Sequence, residues 1–427
     1  MKGFELITPG RDRPQLETET LRVFDICDGC RRCFNLCPSF NTLIDRIDDY
    51  DNDVNKFTAN DFEQVEQECY YCKLCFNHCP YSPPHKYEID FPRLMIAWKQ
   101  QRIAEKGATW RDRLLIQTDF IGKLGTLTAP LTNWAFRTPW VRYLMERVMG
   151  VHRDRQILPF QKESFTAWWS KRNPSSTKSA ANKKVALFPS CMVNHQATDI
   201  GKATVQVLEK NGIEVVTPEG EQWCGMPQFD LGDTDKMIET AKANYEIFRP
   251  YLESGHDIIV PTASCSLMLK REYPYLLPED ERIKNMSERT FDVCEYLMKL
   301  KKEGTLSVDF PSNPGRIAYQ IPCHLRDQNI GFKSKELMEL TGATVQLIEK
   351  CSGHDGTWSA KVEFFDLSMK IAKKAVREVE DDSVDMMASD CPLSALQLDQ
   401  VRGIPQCSTK SARHPIQIIR DSYGLSS

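Results

Sequence analysis

The sequence has 427 residues, a formal net charge of -4 and 41% hydrophobic residues. That length calls for two or three domains, and the near balance of charge gives no global attraction to nucleic acid or anionic lipid, so no nucleic-acid partner is expected. Cysteine is the outlier, with 16 residues, eight of them between positions 27 and 79. The start Met1-Lys2-Gly3-Phe4-Glu5 lacks the basic cluster and apolar run of a secretory signal. A reducing, cytoplasmic setting with metal-bound thiolates is therefore expected in place of disulfides. No run approaches the ~18 apolar residues of a spanning helix, so any membrane contact is expected to be peripheral, on the inner face of the cell membrane, or through a partner.

In chain order, Cys27-x2-Cys30-x2-Cys33-x3-Cys37-Pro38 comes first and Cys69-x2-Cys72-x2-Cys75-x3-Cys79-Pro80 second. Both match the bacterial ferredoxin pattern, in which the fourth cysteine ligates the other cluster. Two [4Fe–4S] clusters are expected, one on Cys27, Cys30, Cys33 and Cys79, the other on Cys69, Cys72, Cys75 and Cys37. A zinc module would favour separated Cys-x2-Cys pairs over a run of four. The acidic stretch from Asp45 to Glu68 reads as a solvated helix and loop, and the 31 residues between Cys37 and Cys69 point to a helical ferredoxin domain. His78 and His85 flank the second motif, where a hydrogen bond would tune a potential; a plain surface role is the alternative.

Residues 110 to about 170 alternate apolar clusters with Arg111, Arg113, Lys123, Arg137, Arg142, Arg147, Arg153 and Arg155. Such spacing predicts amphipathic helices with a basic face, either packed between domains or docked on a membrane or partner. Lys171 to Ser179 reads as a linker.

From Lys184 onward, short apolar runs at 185–188, 257–260, 316–319 and 384–387 alternate with helical patterns at 196–210, 234–252, 332–341 and 360–379. Alternation of this kind predicts parallel sheets covered by helices. Within it Cys191, Cys224 and Cys265 form one triad and Cys323, Cys351 and Cys391 another, and four of the six directly follow a strand candidate, where sites form in open α/β sheets. Each triad has three readings: an iron–sulfur cluster with a non-cysteine or open fourth ligand, a zinc site completed by a histidine such as His195 or His354, or buried free thiols. Cys407 is a further candidate ligand for the second triad. Cys294 lies on an amphipathic helix and reads as core, and His256 as a loop residue. Neither a phosphate loop nor a dinucleotide fingerprint occurs, so no flavin or nicotinamide of the chain's own is expected.

Together with the two ferredoxin motifs, the segments Phe188-Pro189-Ser190-Cys191, Trp223-Cys224-Gly225-Met226-Pro227, Pro322-Cys323-His324, Cys351-Ser352-Gly353-His354 and Asp390-Cys391 carry a resemblance over nearly the whole chain. The sequence resembles the iron–sulfur subunits of the anaerobic glycerol-3-phosphate dehydrogenase C type, with heterodisulfide-reductase-like cysteine-rich domains. That resemblance implies an α+β / α/β chain. A tandem [4Fe–4S] ferredoxin-type domain (1–105) and a helical, basic connector (106–180) would precede two pseudo-repeated cysteine-rich domains (181–305 and 306–427). It implies a non-catalytic electron-transfer subunit in anaerobic respiration, relaying single electrons between a flavoprotein dehydrogenase and a quinone or other acceptor. The departures bear on the acceptor end. The family's twin cysteine before glycine is Trp223-Cys224-Gly225 and Cys351-Ser352-Gly353 here, and its last Cys-x2-Cys is Cys391-x2-Ser394. Three thiols per half argue against two heterodisulfide-reductase clusters, and with them against a reductase of a disulfide or small oxidant. A relay to a soluble iron protein in oxidative-stress defence is a further alternative, and a structural zinc scaffold the last.

Overall fold

A computed structural model describes residues 13–172, 183–220, 223–379, 384–405, 408 and 411–425. The chain forms two units, residues 1–116 with 225–238, and residues 117–224 with 239–427. Cys407 and positions 173–182, which take in most of the expected linker, fall outside the described residues.

The first unit is helical: α1 Arg13–Cys30, α2 Pro38–Asp49, α3 Ala59–Gln67, α4 Leu74–His78, α5 Phe91–Lys106 and α6 Trp110–Leu115. Aromatic rings fill its core, with Phe62 and Trp98 stacked 5.0 Å apart and Phe40 4.4 Å from Phe91. The Trp98 indole is satisfied inside that core by donating to Thr20 Oγ1 at 2.8 Å. Pro38 opens α2, because its fixed φ and missing N–H suit a first helical position and Cys37 is extended as the N-cap. The acidic 45–68 stretch is less solvated than its charge predicts. Asp61 closes a capping box with Thr58 at the start of α3, and buried Glu66 accepts from Arg102 Nε at 3.0 Å.

Residues 225–238 belong to this unit through α5. Lys99 Nζ donates to Asp230 Oδ1 at 2.9 Å with both residues buried, and Gln100 Nε2 donates to Thr234 Oγ1 at 2.8 Å. Gly232, at φ +96°, is required there: a Cβ would sit 2.6 Å from the Gln100 nitrogen. Replacing Lys99 by Met leaves the Asp230 carboxylate buried and unpaired, at an expected cost of ~3–5 kcal/mol. The Lys99→Met, Asp230→Leu double variant should recover most of that loss in urea-unfolding midpoints.

The second unit holds two parallel sheets. Strands β1 Lys183–Leu187, β2 Ile213–Val216, β3 Asp257–Val260 and β4 Thr290–Asp292 form the first, in the order β2-β1-β3-β4. Strands β5 Arg316–Gln320, β6 Thr344–Ile348 and β7 Met386–Ala388 form the second, in the order β6-β5-β7. In the first sheet Val185 lies in register with Val215 on one side and Asp257 on the other; in the second Ile317 lies between Val345 and Met386. These central strands are strongly apolar because helices cover both faces of such sheets.

Ahead of the sheets, α7 Thr118–Leu127, α8 Ala129–Arg137 and α9 Pro139–Met149 are the expected amphipathic helices. Their basic residues divide. Arg142 turns inward, donating to the carbonyls of His152, Arg153 and Arg155, and buried Arg155 donates to the Ser359 carbonyl and Ser368 Oγ. Lys123, Arg137 and Arg147 stay exposed. None of these helices is long and apolar enough to cross a membrane.

Candidate functional site

The first motif is built on a helix end. Cys27 and Cys30 lie three residues apart on the last turn of α1, so both project from one face. Arg31 then adopts φ +49° and reverses the chain toward Cys33. A non-glycine residue accepts that conformation only with support, and Arg31 has it: its guanidinium donates to Asp28 at 2.6 Å, Asp48 at 2.7 Å and Asn52 at 3.0 Å. Lys73 holds the equivalent place in the second motif at φ +59°, buried, with its ammonium 5.5 Å from the Tyr71 ring and 5.7 Å from the Phe76 ring.

Two thiol-lined cavities result. One is lined by Cys27, Cys30, Cys33 and Cys79, the other by Cys37, Cys69 and Cys72, and Cys75 lines both. The electrostatics follow the same division at Cys27 and cross it at Cys75, where Cys33 also acts. Burial raises the Cys27 thiol pKa, and Cys33, Cys79 and Cys30 raise it further; burial raises that of Cys75, followed by Cys72, Cys37, Cys33 and Cys69. In each cavity the fourth thiol comes from the other motif. Phe40 and Phe91 also line both cavities, so an aromatic pair and one shared thiol form their common wall.

Both donor sets are thiols in apolar surroundings, the chemistry that iron–sulfur ligation uses, so the residues fit that group. Burial pushes Cys69 up to about 12, with Lys99 pulling the other way. Lys99 is itself raised: burial lowers it, but Asp230, Cys69 and Glu66 together outweigh burial. This buried cation beside the second thiol set had no signal in the sequence, since its partner lies 131 residues away. His85 stands among Tyr81 and Tyr87 rings at 5.1 and 5.0 Å, and its Nδ1 accepts from the Tyr87 amide at 3.2 Å.

In the second unit all six remaining candidate thiols follow strands at their carboxyl ends. The first triad is drawn together. Cys265 Sγ lies 3.0 Å from Cys224 Sγ, and burial, then Cys265, raises Cys191 to about 11. The Cys224 loop is fixed from behind: Tyr273 donates to the Cys224 carbonyl at 3.1 Å, and Asn244 Nδ2 donates to the Tyr273 hydroxyl and the Trp223 carbonyl, both at 2.9 Å.

The second triad is arranged differently. Cys323 begins a helical turn, Cys351 Sγ accepts from the Gly353 amide at 3.2 Å, and Cys391 caps the helix Pro392–Arg402. What joins the Cys351 and Cys391 loops is a hydrogen bond of 2.9 Å between the hydroxyls of Ser352 and Ser394, both buried. Both serines stand where the resemblance implies a cysteine, as Trp223 does in the first half, and the two touch each other. The candidate histidines are engaged elsewhere. His195 Nδ1 is 3.0 Å from Thr126 Oγ1, and His354 Nδ1 is 3.1 Å from Ser359 Oγ, with burial lowering His354 to about 3. Cys294 is fully buried on the helix Val293–Lys302, and His256 is buried with Nδ1 3.0 Å from Ser254 Oγ.

Two family models match, the citrate utilization protein B Fer4-like domain over residues 20–105 and the cysteine-rich domain over residues 185–270 and 317–399. The chain carries a Fer4-like domain followed by two cysteine-rich domains. The cysteine-rich matches coincide with the two parallel sheets and the Fer4-like match with the helical unit. This cysteine-rich-domain protein is 26% identical over 312 residues to the C subunit of anaerobic glycerol-3-phosphate dehydrogenase from Escherichia coli (strain K12), an alignment covering 72% of this chain and 76% of that one. It is 29% identical over 218 residues to lactate utilization protein A of Bacillus pumilus (strain SAFR-032), covering 49% and 87%. Similarity to these proteins assigns it a redox electron-transfer role.

Proposed function

We propose that the protein is a non-catalytic electron-transfer subunit with two [4Fe–4S] clusters, on Cys27, Cys30, Cys33 and Cys79 and on Cys69, Cys72, Cys75 and Cys37. It takes electrons singly from a flavoprotein dehydrogenase and delivers them to a quinone or other acceptor. The observation that carries the reading is the pair of thiol-lined cavities with Cys75, Phe40 and Phe91 in their common wall. Clusters held there supply one-electron exchange over a short separation. The chain's own residues do the rest. Arg31 and Lys73 set the turns that aim the thiols, the aromatic wall excludes water, and Lys99 places a positive charge near Cys69, which favours the reduced state of that site.

The Cys191, Cys224 and Cys265 triad is the candidate for a third centre, and the close approach of Cys224 and Cys265 supports it. The Ser352–Ser394 pair makes the second triad the poorer one. The acceptor end is proposed to lie against a lipid surface through α7, α8 and α9. There Phe120, Leu124, Leu127, Leu131, Trp134, Trp140, Tyr143, Leu144 and Val148 are exposed, and the exposed charged side chains among residues 117–149 are all cationic.

The test is electron throughput from photoreduced free flavin mononucleotide to a water-soluble quinone, with anaerobically purified full-length protein. Wild type should accelerate the transfer by more than about tenfold over a Cys75→Ser variant, since that change removes a ligand of one cluster and alters the wall of the other cavity. Equal rates for the two proteins would sink the relay.

A further inference from the structure

Next to the second triad, where Asp390 directly precedes Cys391, Asp292, Cys294 and Asp390 each bring a donor atom to one point, the three atoms lying within 4.8 Å of one another. All three residues have 0% exposure. They arrive from both halves of the second unit. Asp292 ends β4 of the first sheet, Cys294 lies on the helix that follows, and Asp390 follows β7 of the second sheet.

The roles of the carboxylate oxygens are separable. Asp292 Oδ1 caps the helix Val293–Lys302, accepting from the Cys294 amide at 2.9 Å, while Asp292 Oδ2 is buried with no hydrogen-bond partner. An oxygen left in that state costs about 1–3 kcal/mol, more if charged, and native proteins seldom leave one so. Asp390 is oriented from behind, accepting from Tyr319 Oη at 2.5 Å and from Ser334 Oγ at 2.5 Å. The neighbouring cation Lys270 is spent on Glu295 at 2.6 Å. Two carboxylates and a thiol thus face one another in a dry interior.

We propose that Asp292 Oδ2, Cys294 Sγ and the Asp390 carboxylate form a structural site for a divalent transition ion, zinc by preference, which ties the two cysteine-rich halves together. The thiol selects against magnesium and calcium, and a mixed set of oxygen and sulfur donors suits zinc. Tyr319 and Ser334 are the outer partners that fix a ligating carboxylate, as metal sites commonly require. The site stands apart from the proposed relay, whose thiols lie elsewhere.

Metal analysis of full-length protein, purified anaerobically and passed over a chelating resin, tests the assignment. Wild type is expected to retain about one zinc per chain. Asp292→Asn and Cys294→Ser should each lose it with iron content unchanged, and Cys191→Ala should keep it. Chelation after mild warming should lower the wild-type melting temperature and leave that of Cys294→Ser where it is. Zinc absent from wild type, retained in both site variants, or lost on Cys191→Ala alone would each overturn the proposal. So would an Asp292→Asn protein more stable than wild type with the same metal content, the behaviour of two carboxyls that share a proton. Iron content reports separately on the relay, so the two readings fail independently.

Discussion

Replacing Cys79 by Ser should empty the cavity lined by Cys27, Cys30 and Cys33, and leave loaded the cavity that holds the rest of its own motif. The expectation follows from the crossing of fourth ligands: Cys79 lines the first cavity and adds to the electrostatic load on Cys27, while Cys37 is among the thiols acting on Cys75. Iron and acid-labile sulfide should fall from about eight to about four per chain if the two cavities alone bind clusters, and one of two low-temperature EPR signals should vanish. The comparison with Cys69→Ser gives the result its force. If the cavities are filled by crossed ligands, Cys79→Ser and Cys69→Ser remove different signals although both residues belong to the second motif. Loss of the same signal in both variants would mean that each motif closes its own cluster.

The second large effect is expected at the exposed helices. Leu127 is 82% exposed and Trp140 63%, high values for large apolar side chains. Burying such a side chain in the acyl boundary is worth roughly 1.5–3 kcal/mol. The double change Leu127→Glu, Trp140→Glu should therefore lower partitioning onto anionic vesicles by ~100-fold or more, since 1.4 kcal/mol is about a factor of ten. Cosedimentation with phosphatidylglycerol vesicles measures it. Binding should also weaken with salt, because Lys123, Arg137 and Arg147 contribute about 1 kcal/mol each near such a surface. Wild-type protein that stays in the supernatant at low salt would remove lipid as the partner of these helices.

The parts of this protein that were legible in the sequence are those in which local spacing is the chemistry. The four-cysteine runs showed which thiols line the two cavities, because their two-residue gaps keep three thiols close along the chain. Strands β1, β3 and β5 were legible as buried apolar runs bounded by glycine or proline. Strands β2, β4 and β6 escaped for the opposite reason: Ile213-Glu214-Val215-Val216 and Thr290-Phe291-Asp292 are short and partly polar, and become strands only through their parallel neighbours. The inward turn of Arg142 and Arg155 was invisible, since charge alone says nothing about which carbonyls a guanidinium finds. The two serines were visible as departures from the cysteine pattern, whereas their contact, across 42 residues of sequence, was not. Glu66 shows the same limit, a glutamate in an acidic stretch that the fold buries against Arg102.

The helical unit is closed by residues 225–238, with the whole segment 117–224 made in between. At ~5–20 residues per second of synthesis, that delay is on the order of 5–20 seconds. Throughout it Lys99 has no Asp230, and Tyr71, between Cys69 and Cys72, lacks the Phe229 ring that later meets it at 5.1 Å. Neither thiol cavity is lined by residues 225–238, so the late segment completes only the outer packing on the Cys69 side, behind Tyr71 and Lys99.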